Sequence, residues 1–275
     1  MRRGLLIAFA VLLSVAAIAA DGGSARTAAG PVRVQPFGFH SRLLGRDFRE
    51  ILLLPAGPSR GRQLLVFLHG YTQPTAESAA WMRPALRALA EAGADVALGL
   101  RDISRDGGLA DEIRALGRRA LPLQMDVTNL DQVEAAVTAT VEELGSVDLL
   151  VNNAGGGAGL MPAEDVSVAA FEHTVDANLK GTFFTCRAAF APMRERGFGR
   201  IVNLSSQAAL VALPGEAVYC MTKAAVSHLT RCLAVEWGEH GIAVNAVAPT
   251  FIRTPGTEPA LSNPWLAFAR RPRSG

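Results

Sequence analysis

Short apolar runs alternate with longer amphipathic runs over residues 81–259 of this 275-residue chain. Four of the short runs have the length and composition of buried strands: Asp95–Leu100, Leu121–Val127, Val147–Val151 and Ile201–Leu204. Helical spacing of apolar residues fills the intervals between them. Strands that alternate with helices in this way predict an α/β fold with a doubly wound, Rossmann-like parallel sheet.

A long helix is predicted before the fourth strand. Its expected core-facing stripe consists of Phe171, Val175, Leu179, Phe183, Cys186 and Met193. Asn178 lies on the same stripe, three residues after Val175, and a buried amide needs hydrogen-bond partners. A neighbouring backbone carbonyl could satisfy Asn178, or the side chain could serve a functional site.

A tyrosine and a lysine four residues apart follow the fourth strand. Tyr219 and Lys223 would lie on one face of a helix, where the ammonium stabilises the phenolate and lowers the pKa of a phenol. Such a tyrosine can exchange a proton with a substrate oxygen near neutral pH. Ser206, at the end of the strand, could hold that oxygen by a hydrogen bond. Taken alone, a Tyr-x-x-x-Lys pair is also common on solvated helix surfaces.

Four further motifs accompany this pair in a fixed order. The chain reads MDVT from Met125, VNNAG from Val151, DANLKG from Asp176 and VNAVAPTFIRT from Val244. With the Tyr-x-x-x-Lys pair, these motifs resemble the short-chain dehydrogenase/reductase family over about residues 88–259. The resemblance implies reversible hydride transfer between NAD(P) and a small carbonyl compound or secondary alcohol.

The resemblance also implies roles for individual residues. Tyr219 would be the general acid/base, Lys223 would tune its pKa and contact the ribose, Ser206 would hold the carbonyl, and Asn178 with Lys223 would hold a water. The implied cofactor-binding residues, besides Tyr219 and Lys223, are Arg101, Asp126, Val127, Asn153, Ala154, Gly155, Pro249 and Thr254. An arginine at the end of the second family strand slightly favours NADP, although Arg101 could equally be an ordinary solvated charge.

The glycine-rich fingerprint of the family, Thr-Gly-x-x-x-Gly-x-Gly, is missing from its usual place. After the run Leu64–Leu68 the chain reads HGYTQPTAESAAWMR, with Gly70 as its one glycine. Glycines there allow the backbone to approach the pyrophosphate closely. We therefore expect this chain to bind a nucleotide weakly.

Residues 36–80 instead resemble the start of an α/β-hydrolase esterase, with LHGY as the oxyanion-side loop. The one Gly-x-Ser-x-Gly string, GPSRG at residues 57–61, lies between two strand-like runs and not at the strand-to-helix turn that a nucleophile elbow needs. This leaves two alternative functions: an exported esterase-like protein without its nucleophile, or a non-catalytic chimeric or truncated remnant. We predict that Leu64–Leu68 occupies the central first-strand position of the sheet, parallel to both neighbours. Ile51–Leu54 should form at most a peripheral strand.

Charge and cysteine content exclude several function classes. The net charge of +2 gives no electrostatic basis for binding nucleic acid or an anionic membrane. The three cysteines have no metal-ligand spacing and no disulfide framework, so no metal is expected. A small-molecule substrate is the expected partner, and the two long helices could mediate a homo-oligomer.

Both ends of the chain depart from the family pattern. Residues 1–20 read as a signal peptide or N-terminal anchor, residues 21–35 as a linker, and residues 260–275 as a disordered basic tail. We therefore expect a sheet that is incomplete at both ends. The N-terminal segment predicts export, whereas the reductase-like segment, residues 81–259, would suit the cytoplasm.

Export can be tested by mass spectrometry of the expressed protein. Arg2 and Arg3 precede an apolar run that ends in Ala17-Ile18-Ala19, the pattern of a cleavable signal. We expect cleavage after Ala19, so that the mature protein begins at Ala20. An intact Met1 on soluble protein from the cytoplasm would contradict the prediction.

Overall fold

The computed structural model describes residues 33–41, 46–54, 63–68 and 83–249. Its strands are β1 Arg33–Ser41, β2 Arg46–Leu54, β3 Gln63–Leu68, β4 Asp95–Leu100, β5 Ala120–Gln124, β6 Leu149–Asn152, β7 Gly199–Leu204 and β8 Ile242–Val247. Its helices are α1 Arg83–Glu91, α2 Leu109–Ala115, α3 Leu130–Leu144, α4 Val168–Val175, α5 Gly181–Arg196 and α6 Ala217–Trp237. The predicted signal peptide, linker and C-terminal tail lie largely outside the described residues.

Six strands form one parallel sheet in the order β5-β4-β3-β6-β7-β8. Alternate residues of the central strands enter different apolar clusters. Val96 and Leu98 pack with residues of α1 and α2, whereas Ala97 packs with residues of α3, α5 and α6. Helices therefore cover both faces, and the predicted doubly wound α/β sheet is confirmed.

The central position of the sheet belongs to β3, as predicted. This strand pairs in parallel with β4, where Leu64 lies opposite Val96, and with β6, where Leu64 lies opposite Leu149. The segment around Ile51 lies in β2, which pairs antiparallel with β1 in a separate two-stranded sheet. Both expectations for the N-terminal segment are confirmed at the level of strand pairing.

The predicted stripe of the long helix is wrong at its aromatic positions. Phe171 and Phe183 are 42% and 39% exposed, respectively. A π-helical turn, Asp176–Lys180, joins α4 to α5. The buried side of this turn and α5 is formed mainly by small or polar residues: Ala177, Asn178, Gly181, Thr182, Thr185, Cys186, Ala189 and Met193.

Close packing explains why phenylalanine cannot occupy that side. A Cβ added to Gly181 would lie 2.9 Å from Cβ of Val127, in the segment that follows β5. The helix approaches the sheet too closely here for a large side chain. Large apolar residues are therefore a poor guide to the buried side of this helix, and Phe171 and Phe183 do not face the core.

Candidate active site

The carboxyl ends of three central strands meet at one edge of the sheet. Leu68, at the end of β3, lies opposite Leu100 of β4, and Phe67 lies opposite Asn152 of β6. In open α/β sheets, ligands bind in the crevice at this edge, where the strand order reverses. The predicted cofactor residue Arg101 follows β4 directly, and Asn153 follows β6.

Tyr219 and Lys223 lie one turn apart on α6, with the lysine buried. The Lys223 side chain is 5% exposed, and its Nζ donates a hydrogen bond of 2.8 Å to the carbonyl oxygen of Leu204. Nζ lies 5.6 Å from the centroid of the Tyr219 ring. Burial lowers the pKa of Lys223 to about 8. The predicted pair is thus assembled beside the end of β7, with its ammonium close to the phenol.

Asn178 is fully buried and connects three segments of the site. Its Oδ1 accepts a hydrogen bond of 2.7 Å from the Gly156 amide, and its Nδ2 donates to the Gly156 carbonyl at 2.8 Å. Nδ2 also donates to Oγ1 of Thr222 at 3.0 Å. Both amide hydrogens are therefore used by protein partners. One of these partners is a backbone carbonyl, as in the first of the two interpretations of Asn178 given above. A water relay through the Asn178 side chain would use the remaining lone pair of Oδ1, and that role stays a prediction.

Gly155 lies where the backbone must come very close to the other site residues. A Cβ at this position would lie 2.5 Å from Oδ1 of Asn178 and 3.2 Å from Nζ of Lys223. Only glycine leaves room for both polar groups. The VNNAG segment is therefore seated directly against the predicted catalytic residues.

Two adjacent serines follow β7 and have different roles. Ser205 is buried, and its hydroxyl contacts the carbonyl oxygen of Lys223 at 3.1 Å and the hydroxyl of Ser227 at 2.6 Å. Oγ of Ser206 accepts a hydrogen bond of 3.1 Å from the amide of Ala208. Because a hydroxyl also carries one hydrogen to donate, Ser206 can still hold a substrate oxygen.

The other predicted cofactor residues differ in their surroundings. Oδ1 of Asp126 accepts hydrogen bonds from the amide and hydroxyl of Thr128, at 2.9 and 2.7 Å. The Val127 side chain is buried in the core beside α5, so a contact with a cofactor would come from its backbone, and that role stays a prediction. The Pro249 carbonyl accepts a hydrogen bond of 2.9 Å from the Gln207 amide, and Thr254 lies outside the described residues.

Arg101 is exposed beyond the end of β4, and its carbonyl accepts a hydrogen bond of 2.7 Å from the Gln124 side chain. Together, Arg101, the anchored carboxylate of Asp126 and the close backbone at Gly155 fit the nucleoside end and the ribose of a dinucleotide. The segment expected to meet the pyrophosphate, residues 69–82, lies outside the described part. Within residues 83–249, no group of three or more His, Cys, Asp or Glu side chains could hold a metal ion.

Sequence reasoning missed the residues that support this site. Thr222 and Gly156 complete the Asn178 network, and Ser205 ties β7 to α6. Thr222 directly precedes Lys223, so its side chain points to a different side of the helix, where it meets Asn178 in the π-helical turn. An amide on a helix stripe, as at Asn178, was the one sequence signal that pointed to such partners.

The relatives found by comparison with known proteins include several dehydrogenases. The family model described as short chain dehydrogenase matches residues 83–265. D-threitol dehydrogenase of Mycolicibacterium smegmatis is 40% identical over 157 residues, which cover 53% of this chain and 60% of the relative. Galactitol 2-dehydrogenase of Rhizobium johnstonii is 38% identical over 198 residues, which cover 68% of this chain and 76% of the relative. The chain thus spans less than two thirds of D-threitol dehydrogenase.

Solved structures show the same similarity. Carveol dehydrogenase from Mycobacterium avium in complex with NAD is 28% identical, with a TM-score of 0.63 over 70% of this chain and 73% of that one. A short-chain alcohol dehydrogenase from Sinorhizobium meliloti is 36% identical, with a TM-score of 0.63 over 75% of this chain and 77% of that one. The parallel sheet described above is thus shared with these two dehydrogenase structures.

The burial of Lys223 predicts a pH-dependent stability. Its pKa falls from 10.5 to about 8 on folding, so the unfolded chain binds more protons between these values and stability rises with pH there. We compare Lys223→Met with its parent in a Tyr219→Phe background, which removes the neighbouring phenol. Between pH 8 and 10.5, the free energy of unfolding measured in urea should rise by on the order of 3 kcal/mol more in the parent than in the methionine variant.

Lys180→Met is the matched control, because the Lys180 side chain is 40% exposed. Its difference from the parent should stay nearly constant over the same pH range. A constant difference for Lys223→Met as well would contradict the buried, proton-releasing lysine.

Proposed function

Because this chain belongs to the short-chain dehydrogenase/reductase family, we propose that it is an NAD(P)-dependent oxidoreductase. It interconverts a small carbonyl compound and a secondary alcohol. The observation that carries the proposal is the buried Lys223 ammonium, 5.6 Å from the ring centroid of Tyr219 at the carboxyl edge of the sheet. Burying an ammonium costs free energy, and a neighbouring phenol whose ionised form it stabilises gives this charge a chemical role.

When bound, a nicotinamide nucleotide supplies the hydride for carbonyl reduction and accepts it in alcohol oxidation. In reduction, the Tyr219 hydroxyl donates its proton to the substrate oxygen as the oxyanion develops. The Ser206 hydroxyl donates a hydrogen bond to the same oxygen. In oxidation, Tyr219 as phenolate removes the proton from the alcohol. The two directions thus use one phenol in opposite protonation states.

Lys223 supports this cycle through its charge. Its Nζ is held by the Leu204 carbonyl at 2.8 Å, so the ammonium cannot turn away from the phenol. A fixed positive charge at this distance favours the phenolate over the phenol. Asn178 acts as a positioning residue, because both of its hydrogen bonds to Gly156 hold the VNNAG segment against Lys223.

The proposed substrate class is a small alcohol or ketone. D-threitol dehydrogenase and galactitol 2-dehydrogenase are named for sugar alcohols, which supports a polar secondary alcohol for this chain. NADP is slightly favoured over NAD, because Arg101 is exposed at the end of β4. The Asp102 carboxylate is engaged by the amide and hydroxyl of Ser104, at 3.1 and 2.6 Å, which makes it a poorer ribose ligand.

Nucleotide affinity should be limited by the sequence between Leu68 and Pro84. We expect NADP and NAD to bind far more weakly than to a family enzyme with the full glycine fingerprint, because this sequence has one glycine, Gly70, where the fingerprint has three that let the backbone approach the pyrophosphate. Replacing residues 69–82 with a loop that contains Thr-Gly-x-x-x-Gly-x-Gly should tighten binding. Titration followed by tryptophan fluorescence measures both. Tight binding by the unaltered chain would contradict the prediction.

Tyr219→Phe tests the proposed chemistry. The variant keeps the ring and removes the proton donor, so carbonyl reduction should fall by about 10²–10⁴-fold. The free energy of unfolding in urea is the control, and it should change little because the ring is kept. A variant that retains activity would overturn the role of Tyr219. If the unaltered chain neither binds a nucleotide nor reduces any ketone, the non-catalytic alternative is favoured.

A further inference from the structure

One ionisable side chain beside Tyr219 has no part in the chemistry above. Glu216 stands three residues before Tyr219, and its carbonyl already accepts a helical hydrogen bond of 2.8 Å from the Cys220 amide. Residues three apart at the start of a helix lie on the same face. The Glu216 carboxyl is therefore on the side of α6 that carries the phenol.

Contacts around Gly157 place the carboxyl at the site. A Cβ added to Gly157 would lie 3.1 Å from Oε2 of Glu216 and 3.7 Å from Cβ of Tyr219. The amide of Met161 donates a hydrogen bond of 3.0 Å to the carbonyl of Gly215. The segment after β6 is thus tied to the turn that begins α6, and the two form opposite walls of one cleft.

The rest of this cleft offers the carboxyl little compensation. Its other walls are mostly small or apolar, as at Ala158, Met161, Val166 and Ala170. Burial raises the pKa of Glu216 to about 7. Over residues 83–249, no lysine, arginine or histidine forms an ion pair with Glu216. The ionisable groups beside it are the Tyr219 phenol and the Cys220 thiol, whose pKa is also raised by burial.

We propose that Glu216 is a specificity-determining residue, whose carboxylate accepts a hydrogen bond from a donor group of the substrate. That donor is a hydroxyl or an ammonium, and a carboxylate at the same position is excluded by like-charge repulsion. Glu216 is partly buried, and a carboxylate that loses part of its hydration without a cation is costly unless a donor meets it. This inference rests on the proposed function, because the reacting oxygen of the substrate is taken to lie on Tyr219.

The donor must lie on the substrate chain, away from the reacting carbon, because the Glu216 carboxyl lies near the Cβ end of Tyr219 and the reacting oxygen is taken to lie on the phenol. The test substrates carry the donor two carbons beyond the reacting carbon. Secondary alcohols with a second polar group at that position are therefore the expected class.

Four alcohols of nearly equal size test this directly: 1,3-butanediol, 4-amino-2-butanol, 2-pentanol and 3-hydroxybutyrate. They present a hydroxyl, an ammonium, a methyl group and a carboxylate, respectively. The assay measures kcat/KM for oxidation at a pH of about 7.5, above the Glu216 pKa of about 7 and below the Lys223 pKa of about 8. The unaltered chain should prefer the diol and the amino alcohol over 3-hydroxybutyrate by at least about tenfold in kcat/KM. A hydrogen bond to a charged group changes a binding constant by about this factor or more.

Glu216→Gln keeps the shape and removes the charge. It should lose most of the discrimination against 3-hydroxybutyrate and the preference for the amino alcohol, while its rate with 2-pentanol stays within about threefold. Glu216→Asp keeps the charge and shortens its reach, so it should still reject 3-hydroxybutyrate. Glu236→Gln, an exposed position near the end of α6, is the matched control and should change no ratio. Equal ratios in the unaltered chain and in Glu216→Gln would overturn the proposal.

A binding measurement separates this proposal from the proposed function. Calorimetric titration of the same four alcohols into the unaltered chain and into Glu216→Gln needs no turnover. If neither protein oxidises any alcohol, but the unaltered chain binds the two donor-bearing alcohols more tightly and the variant does not, then the dehydrogenase function fails and the role of Glu216 stands. If the unaltered chain binds none of the four, or binds them without preference, the role of Glu216 is wrong.

Discussion

The hydrogen bond from Lys223 to the carbonyl of Leu204 is the contact on which the site depends. A buried ammonium is tolerated only where it is hydrogen-bonded, and this one is held at 2.8 Å by the last residue of β7. The bond sets the height of α6 over the end of the sheet. Tyr219, one turn earlier, is placed over the same edge as a consequence. Ser205 strengthens the arrangement, because its hydroxyl contacts the carbonyl of Lys223 and ties the same strand to the same helix.

Close backbone packing completes the site around this contact. The π-helical turn places Asn178 where its amide can pair with both backbone groups of Gly156. Gly155 leaves room for that amide and for the lysine, and Gly181 lets the helix approach Val127. Each glycine removes a Cβ that would separate two segments. The segments that carry the catalytic side chains are therefore held by close backbone contacts, and the Tyr219 ring also packs against a small apolar cluster that contains Ala208 and Leu213.

Sequence reasoning recovered the strands better than the helix faces, for a physical reason. A strand buried on both faces is apolar along most of its length, so a run such as Asp95–Leu100 can be recognised in the sequence. A helix packed closely on a sheet buries small and polar residues, and the large residues Phe171 and Phe183 remain on its outer side. Motif spacing located Tyr219, Lys223 and Asn178. Glu216 escaped notice, because the burial of a carboxyl depends on Gly157 and Met161, which are distant in sequence.

The central strand and the phosphate loop make different demands on the chain. The sheet needs at its centre only a segment that is apolar on both faces and can pair in parallel with β4 and β6, and the run Gln63–Leu68 meets both conditions. A dinucleotide needs more, because its pyrophosphate requires backbone amides with no side chain in the way. A segment without the glycine fingerprint of the family can satisfy the first demand without the second. Residues 63–68 thus determine whether the sheet is continuous, whereas we expect residues 69–82 to determine how tightly a nucleotide is held.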